Sequence, residues 1–125
     1  MQLTEKLKVL APQLEALYPD TLDGRISPAF RSGNDETMEY TIAYPIRDWQ
    51  LNPFGILHGG MCATAFDSAM GMVSAAIADG KGLVTTDMFI SYISRMGADD
   101  SFAVKDGTLV ATASASYLLS DEKQA

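Results

Sequence analysis

The chain's only histidine stands directly ahead of two glycines, in Asn52-Pro53-Phe54-Gly55-Ile56-Leu57-His58-Gly59-Gly60. An apolar segment follows, from Met61 to Ala78, with no proline and a single charge, Asp67. A polar loop punctuated by Pro and Gly that runs into such a segment predicts a loop feeding the N-terminus of a buried helix. Unpaired N–H groups and the positive dipole end gather there, which suits a developing oxyanion. Glycines at that point let a substrate approach the backbone closely. A candidate base, an oxyanion donor and polar gating groups thus fall within one short stretch.

Each candidate has a plainer alternative. A carboxylate on an apolar helix is paired or functional when it is buried, so Asp67 reads as catalytic or as a structural hydrogen-bonding group. His58 either does chemistry or caps the loop. Asn52 is a site residue or only the first residue of an Asn-Pro turn. Ser68, beside Asp67, could help place a substrate. Cys62 lies four residues after His58, a conceivable nucleophile pair, although a lone Cys more often packs as a small hydrophobe. Thr85 and Thr86 compete for one role, because strand neighbours point to opposite faces. Lys81 and Arg95 are the nearest cations to a bound phosphate, or plain solvated charges.

The elements that position these residues are legible from periodicity. Leu3, Leu7, Leu10, Leu14 and Leu17 mark one face of an amphipathic helix, an N-terminal helical cap over residues 1–20 that Pro12 should kink or break. Tyr18-Pro19-Asp20 and Leu22-Asp23-Gly24 are turns. Glu36–Ile46 alternates, with Met38, Tyr40, Ile42, Tyr44 and Ile46 on one side, a half-buried strand whose end, at Pro45, is an edge or leaves the sheet. Arg47–Leu57 is a loop. The central helix spans 60–79 and ends at glycines 80 and 82. Phe66, Met70, Val73 and Ile77 form its large stripe, expected against a sheet, with Thr64, Asp67, Gly71 and Ser74 on a smaller face. Leu83–Arg95 is a long alternating strand, with Val84, Thr86, Met88, Ile90 and Tyr92 opposite Thr85, Asp87, Phe89, Ser91 and Ile93. Met96–Ser101 is a polar loop, Lys105-Asp106-Gly107-Thr108 a hairpin turn, Thr108–Leu119 a last strand and Ser120–Ala125 a charged tail. Helix, strand, long helix and strands in that order give α+β with an antiparallel sheet.

With 125 residues the chain is read as one domain, 1–125. A net charge of −7 argues against nucleic acid, whose phosphates need clustered Lys and Arg. One cysteine makes no internal disulfide, and no secretory signal is visible, so a cytoplasmic location is expected. No metal-ligand spacing is present. Met61–Ala78 is not expected to span a membrane: Ala, Gly, Ser and Thr dilute it, and Asp67 would cost about 2.5–3.5 kcal/mol at the bilayer centre.

Asn52-x-x-Gly55-x-x-His58-Gly59-Gly60 with Asp67, the strand Val84–Ile93 and the strand Gly107–Ala113 together resemble the hotdog-fold thioesterases, and more narrowly the acyl-CoA thioesterases of the phenylacetate-degradation type. The likeness runs from about Asn34 to Leu119. It implies an antiparallel sheet wrapped around a central helix. It implies a homodimer or homotetramer, each active site lying between one subunit's helix start and another's helix acid. By the same resemblance Asp67 is general base or nucleophile, Gly59 N–H the oxyanion donor with Gly60 nearby, His58 and Asn52 the groups that place thioester or water, and Thr85 a helper. An aryl or medium-chain acyl group would lie in a pocket lined by Phe54, Met61 and partner residues. Coenzyme A would be part of the substrate, and no separate cofactor or metal is expected. The family has two further strands where this chain has only about Met96 to Lys105, so a gap is expected beside the last strand, exposing Val84, Met88 and Ile90. The rival readings are a non-catalytic acyl-CoA or small-ligand binding module, a hotdog dehydratase and an oligomerisation domain.

Overall fold

A computed structural model describes residues 2–93, 104–105, 108–109 and 111–123. Its elements are α1 (Leu3–Leu17), α2 (Leu22–Arg25), β1 (Ala29–Asn34), β2 (Glu39–Ala43), a 3-10 turn (Asp48–Gln50), α3 (Gly59–Ala78), β3 (Lys81–Tyr92), β4 (Val104–Lys105), β5 (Thr108–Leu109) and β6 (Ala111–Lys123). The class is α+β, as expected, with antiparallel pairing throughout these strands.

Pro12 lies inside an uninterrupted α1, so the break expected there does not occur. Pro12 and Lys8 are both exposed, so the carbonyl that loses its partner faces water, where the loss is cheap. Leu7 and Ala11 are fully buried, whereas Leu17 is exposed, and the leucine stripe does its packing only as far as Leu14. Gln2 offers α1 no side-chain cap. Asp35 from the β1–β2 turn does so instead, accepting from Thr4 N–H at 3.0 Å and Thr4 Oγ1 at 2.8 Å. A carboxylate there also meets the positive helix end.

The central helix starts and ends one residue before the expected bounds. Asp79, in a left-handed conformation with φ 53°, closes it ahead of Gly80. Lys6 Nζ donates to Ala76 O at 3.1 Å, supplying a cation where the carbonyls end. The buried face of α3 is the small-residue one, Cys62, Ala65, Ala76 and, among them, Met72. Phe66, Met70 and Val73 are only half-buried and Ile77 is exposed, so the large stripe is not the main contact. Small side chains allow close approach, and Leu7 and Ala11 of α1 pack directly on Met72 and Ala76.

The expected strand Glu36–Ile46 is a hairpin arm. A turn at residues 35–38, with Met38 at φ 59°, precedes β2, which pairs with β1. Sequence periodicity misses β1 because Ala29-Phe30-Arg31-Ser32-Gly33-Asn34 does not alternate and carries a register shift between Phe30 and Ser32. β3 pairs directly with β6. Residues 120–123, expected in a tail, extend β6, and Thr108–Leu109 falls in β5, which pairs with β4, while Asp106 and Gly107 of the anticipated turn lie outside the described residues. Among the described residues β1–β2 and β3–β6 do not share ladder hydrogen bonds. A trough of about 830 Å³, walled by Tyr40, Ile42, Ala69, Val73, Ala113 and Ala115, lies where a gap beside the last strand is expected. Val84 is exposed as anticipated, but Met88 and Ile90 are half-buried and Phe89 is the exposed residue instead. The expected loop Met96–Ser101 and Arg95 lie outside the described residues.

Candidate active site

The loop before α3 is built by its own side chains. Asn52 Oδ1 accepts from Phe54 N–H at 3.0 Å and Ile56 N–H at 3.1 Å. Asn52 N–H donates to Ile56 O at 2.7 Å, and Gly55 turns the chain at φ 75°. Asn52 therefore holds the loop with its acceptor atom. Gln50, buried, accepts from Arg47 N–H at 2.6 Å, and its own carbonyl accepts from His58 N–H at 2.9 Å.

His58 is the N-cap of α3. Its Nδ1 accepts from Gly60 N–H at 3.0 Å, and its carbonyl receives Met61 and Cys62 N–H. An accepting Nδ1 places the ring proton on Nε2 in the neutral imidazole. The cap consumes Gly60 N–H and leaves Gly59 N–H as the first-turn donor that it does not use. Gly59 O accepts from Tyr92 Oη at 2.8 Å, which ties the helix start to β3. A Cβ at Gly60 would sit 3.2 Å from His58 Nδ1, so glycine there preserves the cap.

Two turns on, Thr85 Oγ1 donates to Asp67 Oδ1 at 2.7 Å. Tyr117 Oη lies 3.4 Å from the same oxygen and 3.3 Å from Asp67 O. Thr85 and Tyr117 are directly opposed in the β3–β6 ladder. Burial first, and the Asp67 charge second, push the Tyr117 phenol up to about 12, so it stays a donor. Asp67 itself is exposed, contrary to the expected interior carboxylate. Its face of α3 turns away from the small-residue face that carries the main contacts.

A register shift between Thr85 and Asp87 makes Thr86 an extra residue in β3. Thr86 instead donates to Ser116 O at 3.0 Å. Strict alternation puts Thr85 and Tyr92 on opposite faces, whereas the bulge brings both to α3. It also decides between the two threonines in favour of Thr85. No sequence motif marks Tyr92 or Tyr117 as site residues; Tyr117 alternates within the last strand, but only the ladder partner shows that it meets Asp67.

Other expected site residues separate from this cluster. Phe54 stands on the loop tip, 85 % exposed. Met61, half-buried, packs against the clusters formed by Leu57 and Cys62 and by Ile26, Tyr44 and Ala65. Cys62 is buried and its thiol pushed up by burial, the state of a packed hydrophobe rather than a nucleophile. Ser68 is buried beside the Tyr44 phenol and lines a cavity with Asp67. No group of three His, Cys, Asp or Glu among the described residues is placed to hold a metal ion. α3 is long and apolar enough to cross a membrane by length and composition; here it is the central helix on which α1 and β3 pack.

Residues 54–118 match the profile of the Thioesterase superfamily, just over half of the chain and including the whole of α3. Comparison with curated protein sequences gives no match. Among solved structures, the Escherichia coli PaaI protein from the phenylacetic acid degradation operon superposes with a TM-score of 0.71 at 14 % identity, over 98 % of this chain and 99 % of that one. A phenylacetic acid degradation-related protein of Ralstonia eutropha gives 0.68 at 22 % identity, over 86 % and 97 %. A thioesterase protein of Streptococcus pneumoniae, solved with coenzyme A, gives 0.68 at 17 % identity, over 89 % and 99 %. These likenesses carry the hotdog fold.

Proposed function

From the premise that this chain belongs to the thioesterase superfamily, we propose that it is an acyl-CoA thioesterase acting on aryl or medium-chain acyl groups. The observation that carries the reading is the Asp67 carboxylate, solvent-accessible and held by Thr85 at 2.7 Å. In this mechanism Asp67 takes a proton from water, and the water oxygen attacks the thioester carbonyl carbon. The carbonyl oxygen becomes an oxyanion that accepts from Gly59 N–H. The C–S bond then breaks, the thiolate of coenzyme A takes up a proton, and the carboxylic acid leaves. Positioned general bases contribute roughly 10²–10⁴, and an oxyanion donor about 10²–10³. Alternatively, an Asp67 oxygen attacks the carbonyl carbon, the C–S bond breaks with release of the coenzyme A thiolate, and water hydrolyses the resulting anhydride to the carboxylic acid and free Asp67. Coenzyme A belongs to the substrate, and the reaction calls for no further cofactor.

Asp67 lies eight residue steps along the helix from Gly59, about 12 Å at 1.5 Å per residue. One carbonyl cannot lie within hydrogen-bond reach of both in one subunit. The reading therefore requires a homodimer or homotetramer in which Gly59, His58 and Asn52 of one subunit face Asp67, Ser68 and Thr85 of another. We place the protein in the cytoplasm, where coenzyme A thioesters are available and a lone thiol stays reduced. Thiol release from a panel of acyl- and aryl-CoA thioesters tests the proposal: turnover of at least one supports it, and none across the panel refutes it. The divided sheet favours one rival, a non-catalytic acyl-CoA binding module, which predicts binding with no thiol release.

A further inference from the structure

Behind the Asp67 cluster lies a cavity of about 310 Å³ between α1, α3 and the β3–β6 ribbon. Leu10, Leu14, Met72, Ala75 and Leu83 give it hydrocarbon walls, while Asp67, Thr85 and Tyr117 line it with polar atoms. Asp67, Gly71 and Ala75 follow one another at helical spacing, so the cavity runs along about 12 Å of α3. Gly71 keeps that path open: a Cβ there would lie 3.9 Å from the Tyr117 ring. Asp23, exposed on α2, adds a second carboxylate to the lining, which holds no Lys or Arg among the described residues.

Resting on the thioesterase reading, we propose that this cavity, rather than the Phe54–Met61 region, receives the acyl group. Gly71 sets its width, and Asp23 excludes acyl groups that carry a carboxylate. Continuity with Asp67 and Thr85 places the reacting carbonyl at its polar lining. Its volume stands at the small end for ligand pockets, which suits a compact acyl group over a long one. The two carboxylates, Asp67 and Asp23, repel an anionic acyl terminus and leave an uncharged one unopposed.

The test compares kcat/KM for matched CoA thioesters, valeryl against succinyl and benzoyl against acetyl, in the wild type, Asp23→Arg and Gly71→Val. The wild type is expected to prefer valeryl over succinyl by at least about tenfold, and Asp23→Arg to narrow that ratio at least about tenfold. Gly71→Val is expected to lower the benzoyl-to-acetyl ratio by about tenfold or more. Both variants unmoved in these ratios, with the wild type active, would overturn the cavity assignment and leave the thioesterase reading standing. Non-hydrolysable thioether analogues, titrated calorimetrically, separate the two in the other direction. Binding that prefers the uncharged analogue and shifts in Asp23→Arg, with no hydrolysis of any thioester, supports the cavity and refutes the hydrolase. Loss of that preference in both measurements overturns the cavity.

Discussion

Replacing Asp67 by Asn separates chemistry from stability in this site. Asn keeps the size of the side chain and an oxygen that accepts from Thr85 and Tyr117, so both contacts at 2.7 Å and 3.4 Å survive. Asp67 is exposed, and an exposed charged contact is worth at most about 1 kcal/mol. The urea midpoint should therefore move by no more than that equivalent. The base is gone, however, and kcat should fall about 10²–10⁴, equivalent to roughly 3–5 kcal/mol of barrier. Thr85→Val removes the donor and leaves the carboxylate. A hydrogen bond to a charged group contributes about 1.5–3 kcal/mol, and exposure brings that down, so a loss of about 5- to 30-fold is expected. If Thr85 acts by orienting Asp67, adding Thr85→Val to Asp67→Asn costs nothing further. Thiol release gives kcat and KM for the four proteins, and urea unfolding of the same preparations gives their stabilities. The reasoning fails if Asp67→Asn keeps more than about a tenth of kcat, far above the loss expected of a base. It fails equally if the activity loss tracks an unfolded fraction, or if the two substitutions add.

Three further outcomes follow from the same contacts. Leu7, 0 % exposed between Met72 and Ala76, should cost about 2–5 kcal/mol when cut to Ala, read as a drop in urea midpoint. His58→Ser retains an N-cap side chain and should hold stability within about 0.5 kcal/mol. It loses the outward Nε2–H, and thiol release should fall by about 10², as for one lost donor; an unchanged rate would reduce His58 to a cap. The Tyr44 phenol is pushed up to about 12, mainly by burial. Its folded-state value lies above the unfolded one near 10, so the native state holds the proton longer. Stability is then full below about pH 10 and falls as pH rises towards 12, by about 2–3 kcal/mol in all. Tyr44→Phe should make that alkaline decline shallower in urea melts taken at successive pH values, leaving the share that the raised Tyr117 phenol contributes.

Much of this protein is written locally. Apolar spacing specifies α1 and α3, because burying one face of a helix requires a 3.6-residue period whatever the partner. His58-Gly59-Gly60 specifies a helix start, because a cap and close backbone approach need those residue types in that order. The pairing of Lys105 with Thr108, across an Asp-Gly pair in the sequence, is likewise local chemistry. What depends on neighbours distant in sequence is not written there. α1 passes through Pro12 because that side of the helix meets water, and its cap comes from Asp35, 31 residues away from Thr4. β1 forms without alternation because β2 supplies its ladder. Asp67 lies on an apolar segment yet stands exposed, because α1 takes the small-residue face of α3 instead. The bulge at Thr86 changes which side of β3 faces the helix, and so joins Thr85, Tyr92 and Tyr117 to one site. Period alone fixes the faces of an isolated strand. A single extra residue, set by pairing with β6, reverses them, and only the folded chain places that residue.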